Sequence, residues 1–182
     1  MLGDWLSNLF GKPQSWYDRI DTDQKALAVR AAQINSIGSD VWKTVRDAYL
    51  ASTQGPDTDF LAFDDINNGI TSSLKSLLIT SNHTPSDSDI STAEAYNAQY
   101  GRYVDYVTQM APEVAAQAAA DAQNVTNMLS QNSLRSPSEV GTQAFEDEVA
   151  RRAALLGAGL GAGLLLYLAI PVVLAMMLGG GR

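Results

Sequence analysis

The chain has 182 residues, 20 of them acidic and 12 basic, with no cysteine and a single histidine. That length fits one ordinary domain and excludes a large multi-domain enzyme. Without cysteine there is no disulfide framework, Cys-ligated zinc, thiol catalysis or iron–sulfur cluster, and one histidine excludes a two-His metal site in a single chain.

The mean hydropathy of -0.08 averages two unlike parts. Residues 1–150 hold all 20 acids against nine bases, a local charge of -11, while the last 32 residues hold Arg151, Arg152 and Arg182 and no acid. An acidic body argues against direct nucleic-acid binding, which needs clustered Lys and Arg, and against docking on anionic lipid by charge. The opening MLGDWLSNLFGK lacks a basic region followed by a continuous apolar stretch, so no secretory signal is expected there.

In chain order, residues 1–14 read as an amphipathic helix. Leu2, Trp5, Leu6, Leu9 and Phe10 share one face, Asp4, Ser7 and Asn8 the other, and Gly11 and Pro13 end it. Such a helix either packs on its own protein or docks at a membrane interface or a partner; its polar face lacks the usual basic residues. Residues 15–135 read as an acidic helical domain. A long helix is expected from about Thr22, capped by Asp21 or Thr22, to Ser52. Leu27, Ala31, Ile34, Gly38, Val41, Val45 and Ala48 form a heptad-like seam along it. Ile37, Trp42 and Tyr49 widen that stripe and favour a bundle over an isolated coiled coil.

A second helix is predicted over about 57–80, with Phe60, Phe63, Ile70, Leu74 and Leu77 inward and Gly69 weakening its middle by about 1 kcal/mol relative to alanine. Ser81 to Ile90 reads as an exposed loop, and Ser91–Glu94 as a capping box opening a helix with Tyr96, Tyr100, Tyr103 and Val107 on one side. Pro112 either kinks that helix or starts the next. Val114, Ala118, Val125 and Met128 or Leu129 then share a face. Ser136-Pro137-Ser138-Glu139 is a further capping box, opening a helix with Val140, Ala144, Phe145 and Val149. No stretch alternates with period two, so no substantial sheet is expected.

Residues 136–182 are expected to continue from that helix into a membrane span. Ala153 to Leu178 is 26 consecutive apolar or glycine residues. As a helix this covers about 39 Å, enough for one tilted crossing of roughly 30 Å of hydrocarbon. Pro171 would kink the span, and Gly157, Gly159, Gly161 and Gly163 form two overlapping GxxxG pairs suited to close helix packing. Arg151 and Arg152 before the run and Arg182 after it are the expected membrane-flanking charges, and their asymmetry places the acidic body on the cytoplasmic side. The alternative is a central helix buried in a soluble bundle.

Chemistry is sparse. Asp64 to Gly69 has only part of a calcium loop, with Ile66 at its third position and Lys75 at its twelfth. Asp87, Asp89 and His83 lie in polar sequence without partners for acid–base or nucleophilic work. No catalytic residue, metal site or cofactor is expected. The fold class is therefore all-α, a helical bundle with heptad-like long helices followed by one C-terminal transmembrane helix. The expected role is non-enzymatic: a single-pass, tail-anchored structural or assembly protein whose partners are the bilayer and other helical proteins, including copies of itself. In layout alone the chain is similar to minor virion proteins of bacteriophages, small acidic helical proteins with a glycine-rich apolar end. That likeness implies linking capsid to membrane, or aiding genome delivery, from a virion membrane or interior. The alternative is a membrane-active, permeabilising effector with a shielded apolar helix.

Overall fold

A computed structural model describes residues 2–52 and 60–159, with side chains from 5 to 52 and from 60 to 156. The described residues form eight helices and no strand: α1 (Leu2–Phe10), α2 (Gln14–Ile37), α3 (Ser39–Ser52), α4 (Phe63–Ser76), α5 (Asp87–Met110), α6 (Pro112–Ser130), α7 (Pro137–Val140) and α8 (Thr142–Gly159). The molecule is thus all-helical, as the period-3.6 patterning predicts. Among the described residues no helix is long and apolar enough to cross a membrane. The expected span lies mostly beyond them, as do Gly161, Gly163, Pro171 and Arg182. Gly157 and Gly159 fall in the last turn of α8, outside the described side chains.

Helix α2 is the hub. It starts at Gln14 behind an extended Pro13, so Asp21 and Thr22 are interior residues rather than caps. Helices α4, α5, α6 and α8 all pack on it. Tyr17, Ile20, Leu27, Ala28, Ala31 and Ile34 are buried among them. A helix contacted from several sides needs apolar residues round most of its circumference, which is why its pattern is wider than a heptad seam.

The long helix expected to Ser52 is broken at Gly38, whose φ of +77° favours glycine. Its amide still bonds the Ile34 carbonyl at 3.0 Å, closing α2 one residue before α3 begins at Ser39. The seam therefore ends there. Beyond it Trp42 and Val45 are buried and Ala48 is exposed, and the single long heptad-like helix is corrected to two shorter helices of the bundle. Gly141, at φ +84°, breaks the chain in the same way. The capping box at Ser136 and Glu139 is present but opens only the four-residue α7.

Helix α5 starts earlier than its sequence suggests. Ser86 and Asp89 cap each other's amides, and Ser91 and Glu94 lie inside the helix instead. The earlier start brings Ile90 into the core. The preceding segment is ordered by a turn in which the Thr80 amide donates to the His83 carbonyl at 2.8 Å. Pro112 occupies the first turn of α6, the second of its two expected roles. Helix α1 lays Leu9 into the core, where its carbonyl accepts the Tyr17 hydroxyl at 2.8 Å. Trp5 packs partly buried against the same core and Phe10 is half-exposed.

Phe60, Trp42, Tyr49, Tyr103 and Tyr106 make a ring cluster, with Phe60 and Tyr103 stacked at 4.7 Å. The Trp42 indole donates to the Leu61 carbonyl at 3.0 Å, closing the aromatic body with its polar tip satisfied. Gly69, which looks like a flaw in α4, is where the Tyr100 side chain of α5 lies against it. A Cβ there would overlap the Tyr100 hydroxyl and stand 3.1 Å from its Cζ. Glycine at this point lets the buried Tyr100 lie across α4. Gly69→Ala should therefore destabilise by about 1–3 kcal/mol through overpacking, although alanine is the better helix former. Adding Tyr100→Phe should recover part of the loss in urea unfolding.

Candidate functional site

The chemistry-bearing residues group around Arg152. On α8, Phe145, Arg152, Ala153 and Leu156 are all buried. They recur at helical spacing, so Arg152 sits on the apolar face while its neighbour Arg151 is exposed. Opposite, Asp21 and Gln24 lie on the buried face of α2, one turn apart.

The three nitrogens of the Arg152 guanidinium all meet acceptors. Nη2 pairs with Asp21 Oδ1, Nε donates to Gln24 Oε1 at 3.1 Å, and Nη1 donates to the Asn132 carbonyl. Asp21 is answered on its other sides. Its Oδ1 accepts the Leu134 amide at 3.0 Å and its Oδ2 pairs with Lys25 Nζ at 2.7 Å. Gln24 passes the connection on, donating to the Leu77 carbonyl at 3.0 Å. One network thus ties α8, α2, the connection after α6 and the end of α4. A cavity of about 10 Å³ beside it, lined by Gln24, Leu78, Leu134 and Arg152 among others, has room for no more than one water.

Burial lowers the Arg152 pKa to about 10, still far above neutrality, so the guanidinium keeps its charge at pH 7. Lys25 is lowered by burial as well. A charge in this setting is held by its partner and its hydrogen bonds together, and loss of either partner strands the other. Chemically the cluster is saturated. Its donors and acceptors face one another rather than an open cleft, and it works as an internal fastening.

This placement corrects one expectation directly. Arg152 does not stand outside the fold as a membrane-flanking charge; it is 3% exposed and bonded inside the bundle. The first residues of the apolar run follow it inward, since Ala153 and Leu156 are core residues. A signal for this was in the sequence. The 145, 149, 152, 156 spacing puts Arg152, and not Arg151, in line with Phe145 and Val149. Asp21 reads in the sequence as a cap for a helix starting at Thr22, whereas α2 starts at Gln14 and carries Asp21 and Gln24 on its buried face.

The remaining candidates do not converge. Asp64 and Asp65 are exposed in the first turn of α4. His83 is half-buried, with Nε2 2.8 Å from the Ser76 carbonyl, which ties its turn to α4. Asp89 serves the α5 cap, and its pKa is lowered first by the Ser86 hydroxyl and amide. Among the described residues no three acidic or histidine side chains are grouped to hold a metal ion. Tyr100 and Tyr103 are buried, and Tyr96 stacks on Tyr100 at 5.6 Å.

Comparison of the chain with protein-family models, with curated proteins and with solved structures finds no match.

The network predicts a specific double-mutant result. Asp21→Leu should cost about 3–5 kcal/mol by stranding the Arg152 charge, and Arg152→Met a comparable amount. The double variant should lose much less than the sum of the two in urea unfolding, because no unpaired charge is left inside.

Proposed function

We propose that this chain is a non-enzymatic helical assembly protein that attaches its acidic bundle to a lipid bilayer through its C-terminal apolar run. The observation that carries this reading is the sequence from Gly157 to Leu178, which has 22 residues and no charge. As a helix that length would cover about 33 Å, enough for roughly 30 Å of hydrocarbon. It starts later than the full run, because Ala153 and Leu156 belong to the bundle core. The expected partners are the bilayer and other helical proteins, including further copies packed through Gly157, Gly159, Gly161 and Gly163. In a virus particle the same arrangement would join capsid to membrane or assist genome delivery.

The orientation argument changes with Arg152 inside the fold. Arg151 before the run and Arg182 after it leave one arginine on each side, so charge asymmetry no longer favours either orientation. The acidic body staying on the side of synthesis then rests on its being folded before insertion.

A second reading is supported by the burial of Ala153 and Leu156. A permeabilising effector would shield its apolar helix against its own bundle until a trigger released it. The two readings separate on the full-length protein. An anchor should pellet with membranes after carbonate washing and need detergent to purify, whereas a shielded effector should purify without detergent as a soluble monomer. A chain ending at Gly159 should stay in the supernatant under the anchor reading. Gly161→Leu should lower crosslinked oligomer yield; an unchanged yield removes the packing role from the glycine face.

A further inference from the structure

Helix α2 carries a second buried carboxylate, Asp23, which the Arg152 network does not use. It is 5% exposed and faces α5, where the Asn97 amide donates to both its backbone carbonyl and its Oδ1 at 3.3 Å. Those two bonds fix which way the Asn97 amide points, because a carbonyl can only accept. They leave two buried oxygens without a hydrogen-bond partner, Asp23 Oδ2 and Asn97 Oδ1. Both belong to groups already joined by one N–H bond. Two acceptors cannot bond each other, and leaving both orphaned in the interior is unfavourable.

One hydrogen would answer both. We propose that Asp23 and Asn97 form a proton-operated clasp between α2 and α5, in which a neutral Asp23 donates from Oδ2 to Asn97 Oδ1 and closes a two-bond acid–amide ring. Only a proton moves: it passes from solvent to the carboxylate as the clasp closes and returns to solvent as it opens.

The charges around the pair favour the neutral form. Glu94, one turn before Asn97 on α5, acts on Asp23 as a like charge, and Arg19, on α2 itself, as an opposite one. Arg19 is engaged elsewhere, gripping both Glu94 oxygens at 2.8 and 3.0 Å, with Asp87 at the start of α5 acting on it too. Among the described residues no charged group of α4 or α6 acts on Asp23. Burial first, and Glu94 second, raise the Asp23 pKa from 3.8 to about 6, against the Asn97 bond and the Arg19 charge. Glu94 is lowered by its hydrogen bond with Arg19, which favours its charged form.

The sign follows by linkage. The folded carboxyl holds its proton more tightly than the unfolded one, so folding takes up a proton between about pH 4 and pH 6. The stabilisation is complete below the unfolded value and is lost as pH rises through the folded value. A shift of this size corresponds to a change on the order of a hundredfold in the folding equilibrium across the window. The clasp is internal to the bundle and does not depend on the membrane reading.

The test is a carboxyl carbon NMR titration of Asp23 in the full-length protein, with thermal unfolding of variants at pH 5 and pH 7.5. The Asp23 midpoint should fall near 6; a midpoint below about 5, closer to an ordinary aspartate, overturns the proposal. Asp23→Asn places an N–H where the proton would sit, so it should melt above the parent at pH 7.5 and show a smaller difference between the two pH values. Asp23→Leu removes the same charge without offering a donor. If the leucine variant is as stable as the asparagine variant at pH 7.5, relief of buried charge alone explains the effect and the ring is wrong. Even if a variant fails to fold, a wild-type midpoint below about 5 overturns the proposal, because the ring needs a neutral carboxyl.

Discussion

A guanidinium taken out of water must be met on every side, and the position of α8 follows from where those partners stand. Arg152 can be buried only because Asp21 and Gln24 lie one turn apart on α2 and because the chain after α6 turns a carbonyl towards it. Shifting α8 by one residue would present Ala153 to Asp21 and leave a charge facing apolar side chains. The ion pair does not tolerate it, and it selects one register for the last helix against the hub.

The same logic of one permitted arrangement recurs elsewhere with different chemistry. Tyr100 lying over Gly69 sets how far α4 can slide along α5, because only a residue without a side chain leaves room for the ring. The positive-φ glycines at 38 and 141 fix where helices must stop. The aromatic cluster around Phe60 then fills the space between α3, α5 and the segment before α4, where short helices alone would pack loosely. Polar and steric pins decide the geometry, and apolar burial, about 1.5–3 kcal/mol for a large side chain, supplies most of the stabilisation.

Much of this was legible in the residues themselves. The helical class, the capping box at Ser136 and the burial of Ile70, Leu74 and Val107 follow from spacing and local chemistry, whereas Pro112 fits a kink and a helix start equally well. Helix ends were less so. Gly38 fits a heptad seam as well as a terminus, because a small residue suits close packing and a left-handed turn alike, and only tertiary context chooses. Ser86–Asp89 and Ser91–Glu94 are competing caps with similar local credentials; the burial of Ile90 decides between them. Arg152 was hidden by its neighbour, since two adjacent arginines before an apolar run read as one boundary although they sit on different faces of a helix. No local rule joins Asp21 to a residue 131 positions away.

The network around Arg152 also has a mechanical side. It lies within two turns of the C-terminal end of the described fold, with Ala153 and Leu156 just beyond it. Tension applied along α8 from that end would reach Leu156 and then the ion pair with Asp21 of α2. The pair would be loaded together with its bonds to Gln24 and Asn132. The bundle is therefore built to pass a pull on its last helix straight into its central one.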